Sequence, residues 1–156
     1  MPNRSQIALV ISDIDGTLIT SNHEVTEATK TAASELHKRG IALSLASSRP
    51  PRSIKPLAEA LGLRTGFAAF NGALVVTAGG EVLESSVIPP ATTARVKAIA
   101  DEFGLSVWAY DEADWWAPVR DSFVEREAHT SGFDPRIEGY EDRLTRDLNK
   151  IGRAHV

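Results

Sequence analysis

The sequence predicts an α/β fold: a parallel sheet with helices between its strands, followed by a smaller α+β unit. Short apolar runs rich in β-branched residues alternate with stretches of helical spacing from Ile7 to Phe70. That strand–helix–strand–helix–strand order implies parallel strands joined by right-handed crossovers, with ligands at the carboxyl ends of the strands. The composition then shifts at Pro89-Pro90, and the elements beyond follow a different order. The expected units are residues 1–88 and 89–156.

Ile7 to Ser12 is a continuous apolar run, too short for a buried helix, and reads as a first strand covered on both faces. From Thr26 to Arg39 the residues Ala28, Ala32, Ala33 and Leu36 keep helical spacing, with Thr26 placed to cap the start and Gly40 to end it. Ile41 to Ala46 reads as a second strand, Pro51 to Leu61 as a second helix stopped by Gly62, and Phe67 to Phe70 as a short third strand. Asn71-Gly72 turns the chain into Ala73 to Thr77, and Ala78-Gly79-Gly80 returns it through Glu81 to Ser85 as a hairpin. In the second unit the spacing predicts a helix over Ala91 to Phe103, a strand pair at Leu105 to Tyr110 and Trp115 to Val119, and a helix over Asp121 to His129. Leu148 to Ile151 starts a further strand.

With 156 residues, 42% of them hydrophobic and 24% charged, the chain is long enough to bury a core and shows no tract biased toward disorder. A net charge of −4 without a basic cluster argues against a nucleic-acid partner. No apolar run approaches the roughly 20 residues that span a bilayer, and the N-terminus lacks the order of a secretory signal, so a soluble, cytoplasmic protein is expected. The lack of cysteine excludes a disulfide framework and thiolate metal ligands. The four histidines have no ligand-like spacing and read as solvated.

The chemistry sits in Asp13-Ile14-Asp15-Gly16-Thr17-Leu18, at the carboxyl end of the first strand. Two acids two residues apart converge on one small site there, and Gly16 permits the sharp turn that follows. Taken alone, an Asp-x-Asp in a loop is usually a solvated turn. Its context changes that reading: it follows a buried strand, and Ser47-Ser48-Arg49 stands at the equivalent end of the next strand. In these segments the chain resembles the haloacid dehalogenase-like superfamily, whose first motif is Asp-x-Asp-Gly-Thr. Ser47-Ser48-Arg49-Pro50 and Asn71-Gly72-Ala73 narrow the resemblance to its Cof-type branch, which usually reads Thr-Gly-Arg-Pro and Asn-Gly-Ala at those places.

The resemblance implies a partial Rossmann-like sheet carrying part of an α/β cap, and a Mg²⁺-dependent phosphohydrolase acting on small phosphorylated metabolites such as sugar phosphates. It implies Asp13 as nucleophile, forming an aspartyl-phosphate, and Asp15 as general acid and base, kept partly protonated by the neighbouring like charge. It also implies Mg²⁺ held by the Asp13 carboxylate and the Asp15 backbone carbonyl, and Ser47 donating to the phosphoryl oxygens. Thr17, Ser48, Arg49, Asn71 and Gly72 complete the substrate-binding set, Arg49 and Asn71 near the entrance. For Arg49 a surface ion pair competes equally with a substrate contact. For Asn71 the tight turn favoured by Asn-Gly is the stronger reading. Trp115 and Trp116 read as core in at least one case.

The superfamily's catalytic lysine helix and its Gly-Asp-x-x-x-Asp segment have no counterpart here; no Gly-Asp pair exists, and Lys150 lies in what resembles a cap strand. The expectation is a chain cut before the third and fourth motifs. The alternative to an enzyme is therefore a non-catalytic family member that keeps at most weak phosphate or Mg²⁺ binding. With the neighbouring strand of the family sheet missing, Ile7 to Ser12 becomes an edge, and the expectation is a chain that either self-associates through it or is only marginally folded. A phospho-accepting receiver domain fails because no aspartate occurs between Asp15 and Asp101. A nucleotide-binding P-loop fails because no Gly-x-x-x-x-Gly-Lys stretch exists.

Overall fold

The computed structural model describes residues 7–153; the ends of the expected units, residues 1–6 and 154–156, lie outside the described residues. Strand β1 (Leu9–Ser12) pairs in parallel with β2 (Ala42–Leu45), Leu9 opposite Ala42 and Ser12 opposite Leu45. Helix α1 (Glu27–Lys38) makes the crossover; the Thr26 side chain caps it by accepting the Thr29 N–H at 3.1 Å. Gly40, at φ +71°, reverses the chain into β2 without the steric cost another residue would meet.

Helix α2 (Pro51–Ala60) opens on a proline, whose missing N–H costs nothing in a first turn, and leads to β3 (Phe67–Ala69). A parallel bridge between Ala46 and Ala68 sets β3 beside β2. A 3₁₀ turn, Phe70–Gly72, then feeds β4 (Leu74–Val76) and β5 (Val82–Ser85), both antiparallel, so the strands lie side by side in the order β1, β2, β3, β4, β5.

The remaining elements are α3 (Pro90–Glu102), β6 (Val107–Tyr110), β7 (Trp115–Trp116), α4 (Ser122–Ser131), α5 (Tyr140–Leu144) and β8 (Lys150–Arg153). They form a separate antiparallel sheet in the order β7, β6, β8. One apolar cluster nevertheless runs from Ile14, Leu45 and Ile54 in the first part of the chain to Tyr110 and Trp115 in the second sheet and Val124 in α4. Each such side chain, fully buried, contributes about 1.5–3 kcal/mol. Phe70 meets Tyr110 edge-on at 6.0 Å, the Arg52 guanidinium lies 4.7 Å from the Phe133 ring centre and 3.6 Å from Asp114, and the Ser53 hydroxyl donates to the Ser131 carbonyl. These contacts seat the second sheet over the side of the first that carries Ser47 to Arg49.

Three expectations are corrected. The first strand is covered on one face: Val10 packs against the core, whereas Leu9 and Ile11, which alternate onto the other face, are 48% and 62% exposed. The strand expected from Trp115 to Val119 ends at Trp116; Ala117 stays buried but bonds the Arg136 carbonyl, and Pro118 has no N–H for a ladder. Helix α5 was not expected, since five residues are too few to show helical periodicity.

Candidate active site

Strands β1 and β2 end in register, and the Ala46 N–H reaches the Ser12 carbonyl at 2.9 Å. Asp13 and Ser47 therefore leave the same end of the sheet from neighbouring strands. After Asp13 the chain winds tightly. The Ile14 carbonyl accepts the N–H groups of Thr17, Leu18 and Ile19 at 3.4, 2.9 and 3.3 Å, and Gly16 sits at φ +72°. Ile14 is fully buried, so it anchors the turn while Asp13, Asp15 and Thr17 face outward.

The second loop is built from its own backbone. Ser47 is buried; its N–H bonds the Ala68 carbonyl at 3.0 Å and its hydroxyl accepts the Arg49 N–H at 3.2 Å. The Asn71 N–H returns to the Ser47 carbonyl at 2.9 Å and the Phe70 N–H to the Arg49 carbonyl at 3.1 Å. Phe70 and Asn71 hold φ values of +52° and +57°, uncommon for residues with a side chain, and the turn locks the third strand's end against the Ser47 loop. Asn71 and Gly72 thus act through the backbone here, with the Asn71 side chain exposed beside the loop. Ser48 is exposed at its crest.

Arg49 closes the gap between the two loops. Its Nε and one terminal nitrogen grip Asp15 at 2.8 and 2.7 Å, and the same terminal nitrogen lies 3.0 Å from His23 Nδ1. The Arg49 side chain is 10% exposed, so it is no plain surface ion pair. Its hydrogen bonds, ahead of the opposing effect of partial burial, hold the Asp15 carboxyl below the ordinary 3.8. This overturns the expectation of a partly protonated Asp15: the cation in contact outweighs a like charge two residues away.

Two residues of this site escaped the sequence reading. His23 was read as solvated, and no local pattern ties it to Arg49, 26 residues away. Lys150 comes from β8, yet its Nζ donates to the Ser48 carbonyl at 3.1 Å and lies 4.9 Å from the Tyr110 ring centre. Desolvation lowers its pKa, against an opposing pull from Glu127. Trp115 is fully buried and stacks on Tyr110 at 5.6 Å, which makes it core; Trp116 lies under Arg143 and Arg136.

For Mg²⁺ the hard oxygens of Asp13 and the Asp15 loop are of the right kind, but the fit is partial. Among the described residues no group of three His, Cys, Asp or Glu side chains could hold a metal ion, and the Asp15 carboxylate is already occupied by Arg49.

Residues 10–155 match the haloacid dehalogenase-like hydrolase family. The chain belongs to that family. The fold agrees: a haloacid dehalogenase-like hydrolase from Bacteroides thetaiotaomicron superposes with a TM-score of 0.79 at 26% identity, over 92% of this chain and 56% of that one. A sugar phosphatase of haloacid dehalogenase subclass IIB shares the fold at a TM-score of 0.78 and 21% identity, over 95% of this chain and 58% of that one. Among curated relatives, YkrA of Bacillus subtilis (strain 168) is 33% identical over 94 residues, 60% of this chain and 36% of that protein. The HMP-PP phosphatase of Cronobacter sakazakii (strain ATCC BAA-894) is 26% identical over 103 residues, 66% of this chain and 38% of that protein. The haloacid dehalogenase-like chain thus spans well under two thirds of the relatives it matches. No helix among its described residues is long and apolar enough to cross a membrane.

Proposed function

We propose that this chain carries the nucleophile half of a Mg²⁺-dependent phosphohydrolase acting on small phosphate esters such as sugar phosphates, with residues 89–156 forming part of the cap that selects the substrate. The observation that carries the reading is the joint arrival of Asp13, Asp15 and Ser47 at the in-register ends of β1 and β2, with Arg49 between them. The phosphatase named among the relatives supports it.

In this reading an Asp13 oxygen forms a bond to phosphorus as the bond from phosphorus to the ester oxygen breaks, leaving an aspartyl-phosphate. Ser47 and the backbone of its loop donate to the phosphoryl oxygens, and Thr17 and the Asn71-Gly72 turn border the substrate. Asp15 gives a proton to the departing alkoxide, then removes one from the water that attacks the phosphoaspartate, releasing inorganic phosphate and restoring Asp13. Because Arg49 holds Asp15 charged, this proton transfer requires Arg49 to move from Asp15 to the incoming phosphoryl group, for which its planar fork is suited, and Asp15 to take up a proton from solvent before it gives one. Asp13 and the Asp15 carbonyl would hold Mg²⁺, which would supply the charge neutralisation that lets an anionic nucleophile approach an anionic ester.

A second reading, a non-catalytic member that keeps weak phosphate or Mg²⁺ binding, is favoured by the missing third carboxylate among the described residues. One assay separates the two. Mg²⁺-dependent phosphate release from p-nitrophenyl phosphate that disappears in Asp13→Asn establishes the enzyme; release that is the same in Asp13→Asn overturns it. No release from either protein leaves the non-catalytic reading.

A further inference from the structure

Lys150 reaches out of its own sheet toward the other one. Its backbone is in β8, opposite Tyr110, and the position of that strand is pinned on both sides. The Asn149 N–H bonds the Tyr110 carbonyl at 2.9 Å, and the Asn149 side-chain amide donates to the Ser85 hydroxyl at 2.9 Å and the Ser86 carbonyl at 3.2 Å. Leu148, fully buried, pairs with Ile88 through N–H bonds of 2.7 and 3.1 Å. The lysine is therefore delivered from a rigid base. Its stem passes the Tyr110 ring, itself held by Trp115 stacked on one side and by the Tyr110 hydroxyl donating to Glu127 at 3.0 Å. The ammonium ends 3.1 Å from the Ser48 carbonyl, at the crest of the loop whose preceding residue is Ser47.

The charge balance of the site makes this placement meaningful. Asp13 and Asp15 bring two negative charges and Arg49 cancels one. A phosphate monoester adds up to two more and a bound Mg²⁺ would cancel two, which leaves about one negative charge for a fixed cation beside the loop. A neutral carbonyl uses little of an ammonium's capacity: it has three donors, and a half-buried position makes a charged acceptor more favourable than it would be in water.

We propose that Lys150 is a phosphate-binding residue carried to the site by the second unit, its ammonium turning from the Ser48 carbonyl to a phosphoryl oxygen held at the Asp13–Ser47 pair. The inference rests on the phosphate-binding reading of that pair and adds to it a link between the units: the phosphate joins both sheets, and binding it draws them together.

The test is the affinity of the full chain for inorganic phosphate with Mg²⁺ present, followed by amide chemical shifts, in the wild type, Lys150→Met, Lys150→Arg and Ser47→Ala. A charge-assisted hydrogen bond predicts that Lys150→Met weakens binding about ten- to a hundredfold and that Lys150→Arg recovers most of the loss. In the wild type, phosphate should shift amides of β8 as well as those of the Ser47 loop. Thermal melts accompany each variant; should Lys150→Met not fold, Lys150→Gln replaces it and the same weakening is expected. Loss in Ser47→Ala with wild-type affinity in Lys150→Met overturns the role of Lys150 and leaves the phosphate site standing. Phosphate that fails to bind the wild type overturns both.

Discussion

Arg49 commits two arms of its guanidinium to Asp15 and shares one of them with His23. The pairing fixes the charge state of the residue proposed to move protons, and it gives the site a definite pH behaviour. Asp15 is held below its ordinary 3.8 in the folded chain. The pair's contribution to stability is therefore fully present above that value and is lost as pH falls through the lower folded pKa. The contribution is small, since the Asp15 side chain is 46% exposed and water screens the pair. Replacing Arg49 with Met removes the main cause of the depression and leaves partial desolvation opposed by His23 alone, so the titration midpoint of Asp15 must rise. Carbon-13 NMR titration of the Asp15 carboxyl in Arg49→Met checks this; a midpoint equal to that of the wild type would show that the ion pair does not govern Asp15.

At the scale of the element, the start of β3, at the end of the strand away from the site, lies hard against β4. Gly66 stands just before β3, its carbonyl accepting from the Ser44 hydroxyl at 2.8 Å. A Cβ placed there would lie 2.0 Å from the Val76 carbonyl oxygen, backbone that the antiparallel pairing of Phe67 with Val76 prevents from yielding. Gly66→Ala is expected to cost about 3 kcal/mol and to lower the melting midpoint by roughly 10 °C. Gly79, in the hairpin turn, offers a control: a Cβ there meets only the Thr77 hydroxyl oxygen at 3.6 Å, an ordinary contact. Thermal melts that shift equally for Gly66→Ala and Gly79→Ala would contradict the steric account.

For the whole molecule, the exposed face and free side of β1 matter most. Leu9 and Ile11, and Ile7 just before them, are all exposed, on or beside a strand with one paired neighbour among the described residues. A second apolar surface lies on α3, where Phe103 is 73% exposed and Ile99 and Val96 flank it. An uncovered apolar strand with unpaired N–H and C=O groups templates pairing with another chain. The chain is expected to self-associate, with the average mass from light scattering rising with concentration. A lysine at Leu9 and at Ile11 together should suppress that rise, as charge on an edge does in natural sheets. If the double variant associates as strongly as the wild type, the contact lies elsewhere, and α3 is the next surface to test.

Much of this architecture follows from local chemistry. Apolar runs too short for helices, Thr26 as a cap and glycines at Gly16 and Gly40 identify the elements before any packing is considered. Likewise the placement of Asp13-x-Asp15 and Ser47-Ser48-Arg49 after successive apolar strands anticipates that both loops emerge at one end of the sheet. The tertiary structure decided what depends on partners distant in the chain. Arg49 meets Asp15 across 34 residues and Lys150 meets Ser48 across 102, and no periodicity or propensity encodes such meetings. It also decided that the first strand is half covered, because an apolar run states what a strand can bury and only its neighbours determine what it does bury. The residue types at the site were thus legible in the sequence; the charge state of Asp15 and the lysine from the second unit were not, since the first arises from a contact between two loops of one sheet and the second exists once the two sheets have packed together.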